Sequence, residues 1–100
     1  MPLVEAELDC AAVLEGAWQV HPKVAVRPEP FGALLYHFGT RRLSFLKNRT
    51  VVGIVQSLDQ HADARSACAA AGVAEASMPA YAEALATLAG SNMIIRRDAA

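Results

Sequence analysis

Two kinds of apolar spacing divide the chain. Val24-Ala25-Val26-Arg27 is short and β-branched, and Pro22 and Pro28 bracket it. Pro28 and Pro30 have no N–H to give to a ladder, so this strand should stop there or lie at an edge. Gly32 to Phe38 (GALLYHF) predicts a second strand, and its near-continuous apolar run predicts cover on both faces. Gly39-Thr40 punctuates it, and Arg42-Leu43-Ser44-Phe45-Leu46 follows. Two such strands across a short glycine-containing turn make a hairpin. In the third strand Leu43 and Phe45 share one face and Ser44 opposes them.

From Asn48, a good N-cap, the period becomes helical. Val51, Ile54, Val55 and Leu58 recur at i, i+3, i+4 and i+7. Asp63 caps a second helix with Ala64, Ala67, Cys68 and Ala71 on one face, and Gly72 ends it. Ser77 caps a third, with Pro79 in its first turn. Met78, Tyr81, Leu85 and Leu88 form its apolar stripe, and Gly90 ends it. Met93-Ile94-Ile95 suits a last short strand or a packed tail. Residues 1–16 have weak periodicity and suit either a short helix between Pro2 and Gly16 or a frayed, variable extension. The expected organisation is that extension followed by one domain over residues 17–97. The fold class is α+β: a three-stranded antiparallel sheet followed by three helices, winged helix-turn-helix-like.

Composition narrows what such a domain can do. One hundred residues, 54% of them hydrophobic and 19% charged, make one core and leave little room for a deep enclosed active site. Two cysteines make no disulfide framework, and Cys68 reads as a small buried side chain. The start has no basic segment followed by an apolar run, and nothing approaches a membrane span. The expectation is a cytoplasmic protein with reduced thiols and no membrane role.

No motif offers catalytic chemistry. His21, His37 and His61 lie 16 and 24 residues apart, without metal-ligand spacing. His37, in an apolar strand, reads as a hydrogen-bonded structural residue. There is no G-x-S-x-G elbow, no G-x-G-x-x-G and no P-loop. The reading is therefore a non-enzyme without cofactor or metal.

The net charge of −1 hides an ordered distribution. Residues 1–16 carry four acids and no base; residues 30–58 carry four bases (Arg41, Arg42, Lys47, Arg49) and no acid. A winged-helix DNA-binding transcriptional regulator is the alternative function, and the charges oppose it. The second helix has only Arg65 and the third has neither Lys nor Arg, whereas a DNA reader must offset phosphate charge. A free third strand suits a different use, accepting an extended peptide by β-augmentation. Replacing Ser44 by Pro should then remove a donor from that edge. The flanking bases would draw an acidic partner, and the helical stripe would receive apolar side chains. Equally, the stripe is simply core.

Residues 18–49 (WQVHPKVAVRPEPFGALLYHFGTRRLSFLKNR), and above all Arg27 to Arg49, resemble the small peptide-binding chaperones of mycofactocin biosynthesis. More broadly, roughly residues 17–97 are similar to the PqqD-like RiPP recognition elements. The resemblance implies a non-catalytic protein that binds the leader of a ribosomally made precursor peptide and presents it to a radical S-adenosylmethionine maturase. It implies a peptide site on the third strand and third helix, carried onto Arg42, Leu43, Ser44, Phe45, Leu46 and Lys47 and onto Tyr81, Leu85 and Leu88. The chain itself has no CxxxCxxC cluster motif, which fits iron–sulfur chemistry residing in the partner. An unoccupied edge also allows a homodimer in the absence of peptide.

Overall fold

The computed structural model describes residues 10–97. Expectations for residues 1–9 lie outside the described residues. The order is α1 (Cys10–Glu15), β1 (Trp18–Val20), β2 (Val24–Glu29), β3 (Gly32–His37), β4 (Leu43–Leu46), α2 (Arg49–Ser57), α3 (Ala64–Ala70), α4 (Met78–Gly90) and β5 (Ile94–Arg96). Two 3₁₀ turns, Leu58–Gln60 and Glu75–Ser77, lead out of α2 and into α4. The architecture is α+β, with β2-β3-β4 as an antiparallel three-stranded sheet and β4 at one edge.

The expected order of three strands then three helices is incomplete. A helix and an unexpected strand precede the sheet, and the last short strand that Met93-Ile94-Ile95 suits forms after the helices as β5. β1 pairs with β5 in a separate antiparallel ribbon, Trp18 opposite Arg96 and Val20 opposite Ile94. Of the two expectations for the start of the chain, residues 10–15 take the helical one. Val13 and Leu14 enter the core, and the Trp18 indole N–H donates to the Val13 carbonyl at 2.9 Å. Arg65 bridges Glu15 of α1 at 3.0 Å and Glu75 at 3.5 Å.

Local chemistry explains most boundaries. The Asn48 side chain accepts the N–H groups of Thr50 and Val51 and starts α2. Asp63 accepts the Ser66 N–H at 2.8 Å and starts α3; that hydrogen bond, with the Ser66 side chain, holds its carboxyl below the usual range. Gly72, at φ +89°, closes α3: its N–H donates to the Ala69 carbonyl, and the Val73 N–H donates to that of Cys68.

The first expected strand takes the edge alternative, and two helix boundaries differ from expectation. β2 runs through Pro28 to Glu29. The Phe38 N–H donates to the Lys23 carbonyl, which sets the alternation along β2 so that the missing Pro28 N–H would point away from β3. An edge strand tolerates that. Ser77 makes no side-chain cap, because the 3₁₀ turn delivers the chain into α4. α4 ends at Gly90, but its left-handed closing residue is Asn92, at φ +63°, with the Met93 N–H donating to the Leu88 carbonyl.

The core lies between the inner face of the sheet, the helices and the β1–β5 ribbon. Leu35, Ile54, Leu58, Leu85, Met93 and Ile94 are its largest fully buried side chains. Ala64, Ala67 and Cys68 fill the inward face of α3, as the pattern predicts, whereas Ala71, expected on the same face, is exposed at its C-cap, and desolvation pushes the Cys68 thiol pKa up. No helix among the described residues is long and apolar enough to cross a membrane.

Gly32 sits at φ +149°, and a Cβ there would overlap the carbonyl oxygen of Leu46. Gly32→Ala should therefore lower stability by more than about 1 kcal/mol, read by urea unfolding. Asp63→Ala should cost about 1 kcal/mol, with Asp63→Asn keeping most of the cap. The Asp63 contribution is present above the usual carboxylate pKa and fades as pH falls through its depressed value.

Candidate functional site

The β3–β4 register fixes which backbone groups of β4 are available. Leu35 lies opposite Ser44, and Tyr36 opposite Leu43. The His37 N–H donates to the Arg42 carbonyl at 2.9 Å, so hydrogen-bonded pairs alternate from there. Ser44 and Leu46 direct their N–H and C=O groups at β3. Leu43 and Phe45 direct theirs at the open edge. The edge donors therefore belong to Leu43 and Phe45, and the expectation that proline at Ser44 would remove one is corrected.

Arg42 and Lys47 are exposed at the two ends of β4, and Ser44 is half-buried. Leu46 is buried on the inner face. Past Lys47 the chain enters a cleft of about 240 Å³ between the start of α2 and α4, lined by Asn48, Val51, Ala80, Tyr81 and Ala84. Tyr81 is half-buried there. Leu85 and Leu88 do not line the cleft. They are 1% and 5% exposed, in the core cluster. Of the helical stripe, the structure brings only Tyr81 to the end of the edge strand. Ala80 and Ala84 are the lining residues that the stripe omits. They carry no strong apolar signal, and it is their smallness that opens the cleft.

The aromatic residues are placed unusually. Of the six, Trp18 alone is in the core. Phe31, Phe38 and Phe45 are 45%, 61% and 58% exposed, and Leu43 is 53% exposed. Leu34 and Tyr36, one residue out of step with buried Ala33, Leu35 and His37, are half-buried on the same outer face. The apolar run of β3 predicts cover on both faces, but among the described residues only the inner face is covered. That run is the available signal, and an apolar run alone does not distinguish a covered face from an open one.

The turn that presents β4 is organised by His37. This residue is 3% exposed, and its Nδ1 accepts the N–H groups of Gly39 at 3.0 Å and Thr40 at 3.1 Å. The Arg41 N–H donates to the His37 carbonyl, and Arg41 takes φ +65°. The His21 ring packs against it, with centroids 4.4 Å apart, while its own Nδ1 accepts the Lys23 N–H at 3.0 Å. His37 is thus a hydrogen-bonded structural residue, as its setting predicts. Among the described residues no three of His, Cys, Asp and Glu are grouped to hold a metal.

These features define a class, a small α+β domain whose basic-flanked edge strand β4 runs beside a shallow cleft. The Peptide chaperone MftB family model matches residues 17–95. Peptide chaperone MftB of Mycobacterium tuberculosis is 62% identical over 81 residues, covering 81% of this chain and 74% of that protein. Peptide chaperone MftB of Mycolicibacterium smegmatis is 65% identical over 79 residues, covering 79% of this chain and 78% of that protein. No solved structure matches the chain. The chain belongs to the Peptide chaperone MftB family.

His21 gives a pH dependence. Desolvation, then the charges of His37 and Lys23, lower the His21 pKa below its ordinary value. The unfolded chain therefore binds more protons than the folded one once pH drops to the ordinary histidine value of about 6.5, and stability falls below that pH. Thermal unfolding should show a flat Tm above this range and a decline beneath it. His21→Asn keeps a side-chain acceptor for the Lys23 N–H and should flatten the decline. An unchanged profile in that variant would assign the decline elsewhere.

Proposed function

We propose that the chain is a non-catalytic peptide chaperone that binds the leader region of a ribosomally synthesised precursor peptide and delivers it to a radical S-adenosylmethionine maturase in mycofactocin biosynthesis. The observation that carries this reading is the open β4 edge, whose Leu43 and Phe45 amides and carbonyls face outward and whose end meets the Tyr81 cleft. An extended peptide adds there as a strand, with backbone pairing for attachment and the cleft for side-chain selection. Membership of a family named for peptide chaperones supports the peptide as ligand. The chemistry stays with the maturase, and holding the peptide on a second protein raises its effective concentration there.

In this site Arg42, Leu43, Ser44, Phe45, Leu46 and Lys47 supply the strand. Tyr81 is the groove residue, and Leu85 and Leu88 act from the core by holding the Tyr81 face of α4 in place. Arg41, Arg42 and Lys47 have no acidic partner among the described residues, so their charge is available to steer an acidic peptide. The winged-helix DNA reading loses ground on the same accounting. Arg65, the one base on α3 and α4, is already held by Glu15 and Glu75.

A titration against the precursor peptide and against duplex DNA separates the readings; tight DNA binding without peptide binding overturns the proposal. Leu43→Pro removes an outward amide and should weaken peptide binding about threefold to tenfold beyond Leu43→Ala, at roughly 0.5–1.5 kcal/mol per hydrogen bond. Ser44→Pro removes a rung to β3 and should show first as lost stability. Tyr81→Ala should weaken binding by about 1–3 kcal/mol if the ring anchors the peptide. Hydrogen exchange protection on peptide addition should concentrate in residues 41–47 and around Tyr81.

A further inference from the structure

The outer face of the sheet has no cover among the described residues. Phe31, Leu34, Tyr36, Phe38, Leu43 and Phe45 make it apolar. Its rings are already ordered. Phe31 and Phe45 meet edge-on at 6.1 Å, and Tyr36 and Phe38 meet edge-on at 4.8 Å. Phe31, Phe45 and Lys47 border an open, shallow apolar hollow of about 450 Å³. Exposed aromatic side chains grouped in this way mark association sites, because rigid rings lose little entropy when buried.

Apart from Glu29, which Arg27 holds, the charges around this face are basic. Lys47 lines the hollow at one end. Arg27 lies opposite Leu34 and so projects on the outer side, and Lys23, whose carbonyl takes the Phe38 N–H, stands at the end of the sheet beside the β3–β4 turn. Arg41 stands in the β3–β4 turn. Glu29, the acid at this border, is half-buried and held by Arg27 at 3.0 Å. A second copy laid face to face by a two-fold axis would bring like charges around the same apolar centre, which opposes it. The complementary occupant is a protein surface with apolar side chains ringed by carboxylates.

We propose that this outer face is the docking surface for the enzyme that receives the peptide, on a patch of that enzyme that is apolar with an acidic border. This deepens the proposed function and rests on it. The peptide edge and the docking face meet along β4 but remain separate surfaces, one using the backbone of Leu43 and Phe45, the other their side chains. A strand added at the edge would extend the outer face by its own row of side chains. The enzyme would then bind the loaded chain more tightly than the empty one.

The test uses variants remote from the β4 edge. Phe38→Glu, Phe38→Ala and Lys23→Glu are each compared with the wild type for Tm, for affinity to the precursor peptide, and for affinity to the purified maturase with and without peptide. The expected result is peptide affinity within about twofold of wild type, with maturase affinity at least tenfold weaker for Phe38→Glu. Phe38→Ala gives a smaller loss and guards against misfolding of the charged variant. Unchanged maturase affinity in all three variants overturns the proposal, as does a wild-type chain that binds no maturase. It is equally overturned if the variants abolish only self-association, or only binding to vesicles of phosphatidylglycerol and phosphatidylcholine. A wild-type chain that binds the maturase through this face but no precursor peptide would sink the proposed function and leave the docking surface standing.

Discussion

At Gly32 the β2–β3 turn lies against the carbonyl of Leu46, the last residue of β4, and against the Asn48 N–H, 3.2 Å from where a Cβ would stand. Three elements meet at this point: the hairpin turn, the exit from the edge strand and the cap of α2. A side chain at Gly32 would separate them, because the atoms it meets are backbone and cannot rotate aside. The close approach lets Asn48 start α2 directly after the strand. α2 then carries Val51 into the cleft that Tyr81 lines from the other side. The position of the cleft relative to the open edge therefore follows from one contact between main-chain segments.

His37 does the corresponding job at the other end of β4. Its bare Nδ1 takes two turn amides, and its main chain pairs with Arg42 on one side and Arg41 on the other. Between these two anchors β4 is held straight against β3 and left open on its far side. The register, not the side-chain pattern alone, decides that Leu43 and Phe45 offer hydrogen bonds to a newcomer while Ser44 does not.

Much of this was legible in the residues. Asn48, Asp63 and Gly72 act as their chemistry predicts, and the three central strands follow their spacing. The failures are non-local. β1 is three residues long and has no pattern of its own; it becomes a strand because β5, at the far end of the chain, lies beside it. Ser77 is a suitable cap residue, but the 3₁₀ turn before it removes the need. The stripe Met78, Tyr81, Leu85 and Leu88 lies on one face of α4, but its burial is uneven. Ala82 joins the core with Leu85 and Leu88, and Tyr81 is left half out. Small side chains carry little periodic signal, so an alanine-rich helix is hard to orient from sequence.

The placement of the aromatics and the placement of the bases explain one another. A row of exposed phenylalanines beside an unpaired strand is a hazard, because another copy can pair with such an edge or bury such a face. Arg41, Arg42, Lys47 and Arg49 surround that edge, Arg27 stands along the outer face and Lys23 at its turn end, so two copies approaching by either route bring cations together. The same cations attract a partner of opposite sign. A short chain that must expose apolar surface to work can remain dispersed only if its partner differs from itself in charge. Among the described residues Glu29 at the border is held by Arg27, and other acids are engaged elsewhere: Glu15 and Glu75 hold Arg65, and Asp63 is in a helix cap.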